Sequence, residues 1–399
     1  MTAQHSRTAH QGGSPPHSPV SGHRGGELAA ILGSITAVGV TLGITAPLFS
    51  VLLDRMGLSA LMVGLNGSVG VIATLLATPL IPRLLRRWGA VPLMLAGILL
   101  TAMALLAAGF LRSPSLWFGL RFLIGVGLSL HWVVSETWLN DATPDRHRGL
   151  VAGLYSALMG IGFAVGPLIV RGVGVDGLAA FVIGAALVIA AGLPLLFMRK
   201  VQTVATHPHD GEFMAVLRQA PVIMLASVAS GFVESAMTSL LPVYGLRLHM
   251  SEARSVELLA VATLGAVLVQ LPIGWIGDRL GRREALLGCA VVGAGTAALL
   301  PAWLSTPVLL WTDLFLWGGA VMSFYTLALA LLGETFQGSR LASATSALVV
   351  TYALGSIAGP TVSGVAMDRL GPQGFVITML ATAALLAAAS ALRLRSRRF

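Results

Sequence analysis

The chain has 399 residues, 56% of them hydrophobic and only 10% charged. Soluble domains carry about 25% charged residues, so a water-soluble globule is excluded: too few charges remain to cover its surface. In a soluble protein the formal net charge of +9 would point to nucleic acid; in a chain this apolar it reads as the basic loops of a membrane protein.

In chain order, residues 1–25 come first, rich in Gly, Ser, Pro and His. They bury too little apolar surface to fold and predict a disordered cytoplasmic tail. His5, His10, His17 and His23 lack tight ligand spacing, so no metal site is expected there. The tail has no short apolar core of the signal-peptide kind, and the stretch after it is long enough to span.

Twelve apolar stretches follow, each near the ~20 residues that cross a bilayer. They lie at 28–52, 59–82, 90–111, 115–138, 149–170, 177–198, 220–246, 255–276, 285–304, 308–333, 342–366 and 373–392. Arg55, Arg112, Arg171, Arg247, Arg254 and Arg369 fall on one side and Arg121 within a span; the other Lys and Arg residues fall on the opposite side. The positive-inside rule then puts both termini in the cytoplasm and the chain in the plasma (inner) membrane. Cys289 is the single cysteine, so no intrachain disulfide or thiolate cluster can form. Trp117 and Trp311 are expected in the interfacial aromatic belts.

The longest internal loop, 199–219, parts the spans six and six, giving bundles at 26–198 and 220–399, the second ending in a basic tail. Patterns recur across it in the same order. Leu85-Arg86-Arg87-Trp88-Gly89 follows span two, and Gly277-Asp278-Arg279-Leu280-Gly281 follows span eight. Ser135-Glu136-Thr137-Trp138 ends span four, and Gly333-Glu334-Thr335-Phe336 ends span ten. Gly162 leads to Gly166-Pro167 in span five, as Gly355 leads to Gly359-Pro360 in span eleven. Parallel repeats of six spans describe a transporter with its site between the halves.

Ionisable residues within or bordering the spans include Arg121, His131, Glu136, Glu234, Asp313 and Glu334, which belong to the fourth, seventh and tenth stretches. A charge in hydrocarbon costs several kcal/mol, so such residues face a bundle interior or a wet cavity. Arg121, Gly125, Ser129, Trp132 and Glu136 recur at steps of four or three and share one helical face. Glu234 lies near mid-membrane, where a carboxyl group that takes up and releases a proton can drive coupling. Asp313 sits near the outer end of its span, as a coupling or interfacial residue. His131 neighbours the Arg121 face and can titrate or hold a structural hydrogen bond. Asn66, Gln270 and Tyr325 are candidate substrate hydrogen-bonders. Glu136 is expected to meet Arg86 or Arg87, and Glu334 to meet Arg279 or Arg282, as parts of a cytoplasmic gate.

Pro272-Ile273-Gly274-Trp275-Ile276-Gly277-Asp278-Arg279-Leu280-Gly281-Arg282-Arg283 resembles the signature loop of the major facilitator superfamily. The resemblance implies a gate that locks and unlocks through this loop. In the first-half copy Arg86 stands where the acid would be and Pro82 replaces the first glycine, which puts the usual first-half lock in doubt. Phe118-Gly119-Leu120-Arg121-Phe122-Leu123-Ile124-Gly125-Val126-Gly127 is similar to the superfamily's fourth-helix motif, whose Arg is associated with proton coupling. Because an Arg keeps its proton, its role would be to tune an acid or hold an anion. Gly162 with Gly166-Pro167 resembles a fifth-helix motif associated with antiporters, and Gly355, Gly359 and Pro360 match it as a helix-packing hinge. Trp132-Val133-Val134 with Glu136, Gln270 with Pro272-Ile273-Gly274, Leu241-Pro242 with Tyr244, and Tyr352 with Gly355-Ser356 resemble the YcaD-like branch.

The expectation is therefore an all-α integral membrane protein of twelve helices in two pseudo-symmetric bundles. It would act as a secondary, proton-coupled carrier of a small molecule by alternating access, leaning to efflux by antiport. A largely apolar cavity fits amphipathic or aromatic compounds. No phosphate loop is present, and no cofactor, metal or nucleic-acid partner is expected beside substrate, protons and lipid; a monomer suffices. The rival readings are a non-transporting sensor or scaffold, and an enzyme built on Asp141, Asp145 and His147, a cluster that reads better as a solvated turn.

Overall fold

Apolar runs in a bilayer find no water for their backbone, so they close their hydrogen bonds internally as helices. The computed structural model describes residues 21–143, 147–197 and 213–395. Among these, every regular element is helical. In order they are α1 (Ser21–Arg55), α2 (Ala60–Ala77), α3 (Ile81–Trp88), α4 (Ala90–Phe110), α5 (Pro114–Ala142), α6 (Arg148–Val173) and α7 (Ala179–Gly192), then α8 (Phe213–Gln219), α9 (Pro221–Arg247), α10 (Glu252–Leu280), α11 (Arg282–Leu299), α12 (Pro307–Thr335), α13 (Ser339–Leu370) and α14 (Gln373–Arg395). One 3-10 turn joins α2 to α3, and together they make one crossing.

Eleven of the described crossings are unbroken, and α10 supplies a twelfth that bends by 42° between Glu252–Gln270 and Pro272–Leu280. Pro272 lacks the N–H that would bond one turn back, which is the physical cause of the bend. All twelve expected stretches coincide with these crossings. Residues 1–20 of the expected 1–25 tail, residues 144–146 with Asp145 and Arg146, the loop core 198–212 and the last residues 396–399 lie outside the described residues. α1 already begins at Ser21, and α8 takes up the end of the expected interdomain loop.

Short connections set the ends. Pro114, Pro221 and Pro307 open their helices, where the missing N–H costs nothing. Ser59 and Ser251 cap α2 and α10 through Met62 N and Arg254 N, satisfying first-turn amides. Helices α1–α7 form one bundle and α9–α14 the other. The two meet where α2 packs on α13 and α6 on α10, with α1 and α2 also touching α9. These are equivalent pairs under exchange of the two six-span repeats. The starts of α1 and α9 and the ends of α3 and α14 share one end of the bundle, termed here the basic end; the other is the far end.

Each half has an aromatic centre. In the first, Phe49, Trp117 and Phe181 pack with ring centroids 4.9–6.2 Å apart. Trp117 is fully buried and its Nε1 donates to the carbonyls of Ala108 and Leu111. It is a core residue and not the belt residue expected from its place near a span end. In the second half Tyr244, Phe375 and Trp317 pack likewise. Large apolar side chains such as Leu76, Met103, Phe110 and Val308 point outward, 60–74% exposed, a surface that suits lipid rather than water.

Candidate functional site

The midplane of the second half holds a carboxyl group with a defined partner. Glu234 on α9 accepts a hydrogen bond from the Tyr352 hydroxyl of α13 at 2.6 Å. Tyr325 of α12 packs edge-on against Tyr352, centroids 5.2 Å apart. Three helices thus converge on one acid. α9 can approach α13 this closely because Gly355 and Gly359 face it: a Cβ at either would overlap the backbone of Val228 or Phe232. Gly162 and Gly166 of α6 play the same part against α1, where a Cβ would meet Thr36 or Gly43. Pro167 and Pro360 lie inside α6 and α13 directly after these contacts.

In the first half Arg121 of α5 is the counterpart. Its guanidinium lies over the Phe49 ring, 5.5 Å from the centroid, and beside Gly70 of α2, whose added Cβ would lie 3.6 Å from Nε. Its buried Nε has no hydrogen-bond partner. No carboxylate pairs with Arg121 among the described residues, so of its two expected roles the geometry leaves room for an anion rather than a tuned acid. On α2, Asn66 is 2% exposed with its Nδ2 unpartnered. Gln270 sits at the bend of α10, half-buried.

The remaining candidates scatter. His131 is 1% exposed and bonds Ser34 of α1 at 2.6 Å through Nε2, inside the first bundle. Trp132, next along α5, is 38% exposed. Asp313 is 6% exposed in α12 with Oδ2 unpartnered, one turn from Trp317 and apart from Glu234.

At the basic end the charges of the second half bind one another. Arg282 reaches Asp278 at 3.1 Å, Glu334 at 3.2 Å and the Ala330 carbonyl at 3.1 Å. Arg279 stacks over Trp275, 3.9 Å from its ring centroid. Gly281 ends α10 at φ +102°, a conformation only glycine takes readily, and Arg283 follows in α11. Gly274 and Gly277 lie on the last turns of α10. The first half differs: Arg86, Arg87 and Glu136 are exposed, and Glu136 forms no ion pair among the described residues.

Charged contacts between the halves gather instead at the far end, in a set that sequence reading passed over. Arg247, ending α9, lies 3.4 Å from Asp54 of α1 and 3.1 Å from Asp368 of α13. Asp368 accepts the backbone amides of Ala60 and Leu61 at 2.8 and 2.9 Å. A carboxylate of one half therefore caps the N-terminus of α2 in the other, where the helix dipole favours an anion. Arg55 pairs with Glu252, and Arg171 with Glu257 at 3.6 Å, both across the interface. Deeper, the Ser68 hydroxyl donates to the Ile357 carbonyl at 3.0 Å. The far end is closed, and the polar centre lies behind it.

Comparisons with known proteins agree with this architecture. The family model described as Major Facilitator Superfamily matches residues 31–261 and 254–398. YfkF of Bacillus subtilis (strain 168), named an uncharacterized MFS-type transporter, is 28% identical over 337 residues, 83% of this chain and 86% of that one. YcaD of Salmonella paratyphi B, named likewise, is 30% identical over 256 residues, 63% and 66% of the two chains. Among solved structures, a mutant of the nucleoside transporter NupG superposes with a TM-score of 0.78 at 15% identity, covering 92% of this chain and 99% of its own. A bacterial homolog of the human lysosomal transporter Spinster, inward-facing and occupied, gives 0.73 at 17% identity, covering 94% and 97%. Twelve crossings in two interlocked bundles, a polar centre and a match along nearly the whole length lead to one conclusion: this integral membrane protein belongs to the major facilitator superfamily and is a membrane transporter.

Proposed function

We propose that the chain is a secondary, proton-coupled carrier that moves a small amphipathic molecule by alternating access, in the direction of export. Members of the superfamily are carriers and not enzymes. The observation that carries the reading is the Glu234–Tyr352 pair, an ionisable group held at the midplane by two tyrosine-bearing helices. Arg121, with no carboxylate paired to it among the described residues, suits an anionic group on the substrate, while Phe49 and Tyr325 offer apolar faces. The glycine pairs of α6 and α13 support antiport only through their resemblance to an antiporter motif. The excess of arginine at the basic end supports cytoplasmic termini in a plasma (inner) membrane.

The test is proton movement in proteoliposomes carrying an internal pH dye, with a compound library added across an imposed pH gradient. Wild type is compared with Glu234→Gln. Compound-dependent proton flux that disappears in the variant supports coupling at α9. Flux unchanged in the variant refutes the role of Glu234. If wild type binds compounds directly but never moves protons or solute, the carrier reading fails in favour of a sensor or scaffold that keeps the fold.

A further inference from the structure

The polar centre holds one charge that the protein itself does not answer. Arg121 of α5 keeps its proton, so its charge has to be compensated in every state of the carrier, with or without substrate. Among the described residues no carboxylate pairs with it, and its buried Nε has no hydrogen-bond partner. The Phe49 ring, 5.5 Å from the guanidinium carbon, offsets part of the cost through its π face. Other groups are already engaged: Asp54 and Asp368 with Arg247, Glu234 with Tyr352. The hydroxyls of Thr45 and Ser50 on α1 donate to carbonyls of their own helix.

A second buried donor stands at the same level. Asn66 of α2 is 2% exposed, and its Nδ2 has no partner. α2 and α5 run in the same direction and touch where a Cβ on Gly125 would meet Gly70 and Ala73. Asn66 lies four residues before Gly70 and seven before Ala73, on the same side of α2. Arg121 lies four residues before Gly125, on the same side of α5. Both donors therefore stand one turn from a shared contact, in the same direction along it. Gly70 keeps the space beside the guanidinium open, since even an added Cβ there would stay 3.6 Å from Nε. The pair offers N–H donors and a full positive charge, with no anion supplied by the protein among the described residues.

We propose that Arg121 and Asn66 bind a small monoanion of the halide class in the substrate-free carrier, and that an anionic substrate displaces it. The displacement rests on the carrier reading above; the anion site does not. A carboxylate on the substrate offers the same charge and acceptor atoms, but only a free ion is present when substrate is absent. A bound halide neutralises the buried charge without any group having to titrate.

The experiment is equilibrium binding of radiolabelled chloride to the purified full chain in detergent, in chloride-free gluconate buffer, for wild type, Arg121→Gln, Asn66→Asp and Arg83→Gln. Arg83 is an exposed arginine at the basic end of the same half. Wild type is expected to bind one chloride saturably, Arg121→Gln to bind none, and Arg83→Gln to match wild type. Asn66→Asp is isosteric and replaces an anion's donor with a carboxylate beside the guanidinium. It should weaken chloride binding roughly tenfold or more and raise the thermal midpoint measured without chloride, as an internal counter-ion would. Bound chloride that benzoate, a carboxylate probe, competes away supports displacement by substrate; chloride that benzoate leaves in place overturns that part. No saturable binding by wild type, or binding that persists in Asn66→Asp, overturns the site itself, and this holds even where Arg121→Gln fails to fold. Neither protons nor Glu234 enter the readout, so a failed proton-flux assay with intact chloride binding sinks the coupling reading alone.

Discussion

Replacing Asp368 with Asn is the sharpest perturbation of the closed far end. The carboxylate accepts two α2 amides at 2.8 and 2.9 Å and meets Arg247 at 3.1 Å. Asparagine is isosteric but has one acceptor oxygen, and its amide nitrogen would face a backbone N–H. The lost charge-assisted hydrogen bond is worth about 1.5–3 kcal/mol. The ion pair adds little, because Arg247 and Asp368 are 24% and 27% exposed and partly exposed pairs contribute about 0–1 kcal/mol. The amide contacts are made only while the halves touch, whereas the Arg247 pair lies within the second half, so about 2 kcal/mol leaves the closed state, shifting the equilibrium roughly 30-fold toward far-side opening. Asp54→Asn removes a single 3.4 Å contact and should shift it less. The assay is double electron–electron resonance between spin labels at Ser115 and Ser305, exposed far-end sites in opposite halves, with Cys289 replaced first. Wild type should give one short distance; Asp368→Asn should add a longer population larger than that of Asp54→Asn. Identical distributions in all three proteins, or a larger effect from Asp54→Asn, would refute the latch.

Tyr352→Phe removes the donor to Glu234 without disturbing the ring contact with Tyr325; proton-coupled flux in proteoliposomes should fall while the folded yield stays at wild-type level. Arg121→Gln keeps a polar group but not the charge, so anionic compounds should lose affinity relative to neutral analogues in a direct binding assay; parallel loss for both classes would remove Arg121 from substrate recognition. Gly359→Ala forces a Cβ onto the Phe232 carbonyl and should cost about 1–3 kcal/mol by overpacking, read as a lower thermal midpoint in detergent. Gly333→Ala, where a Cβ meets nothing within 4 Å, is the matched control and should unfold like wild type.

Much of the fold was legible because a bilayer imposes a coarse rule. Twelve runs near the required length can only be helices, and the loop from 199 onward divides them evenly. The proximity of Glu234 and Tyr352 was not legible. They are 118 residues apart, and nothing local in either helix states that α9 and α13 touch; the glycines at 355 and 359 marked a close contact without naming its partner. Trp117 misled for a related reason: its position near a span end suits a belt residue, and only the packing of Phe49 and Phe181 around it fixes it inside. The pairing of Glu334 with Arg282 was open to sequence, since Arg282 follows the α10–α11 turn and Glu334 ends α12 on the same face of the same half. Glu136 has no equivalent arrangement, consistent with the first-half loop carrying Arg86 where the second-half loop carries Asp278.

The far-side latch was present in the sequence in a form that charge counting hides. Asp54-Arg55-Met56-Gly57, Asp278-Arg279-Leu280-Gly281 and Asp368-Arg369-Leu370-Gly371 are the same four-residue pattern at three helix ends. In each the glycine is left-handed, at φ +79°, +102° and +70°, so the pattern ends a helix and leaves an aspartate on its last turn. At the basic end the product is Asp278, which closes on Arg282 of its own half. At the far end the two copies come from opposite halves and stand on either side of Arg247. A shared local signal thus builds an intrabundle tie on one membrane face and an interbundle tie on the other. The difference comes from where a single cation falls. Arg247 ends α9 between the two bundles, so it can join Asp54 to Asp368, whereas Arg282 begins α11 within its own bundle and can only brace the loop. The two faces need not cost the same to open: far-side opening must break charged contacts between halves, while the basic-end tie can persist through the motion.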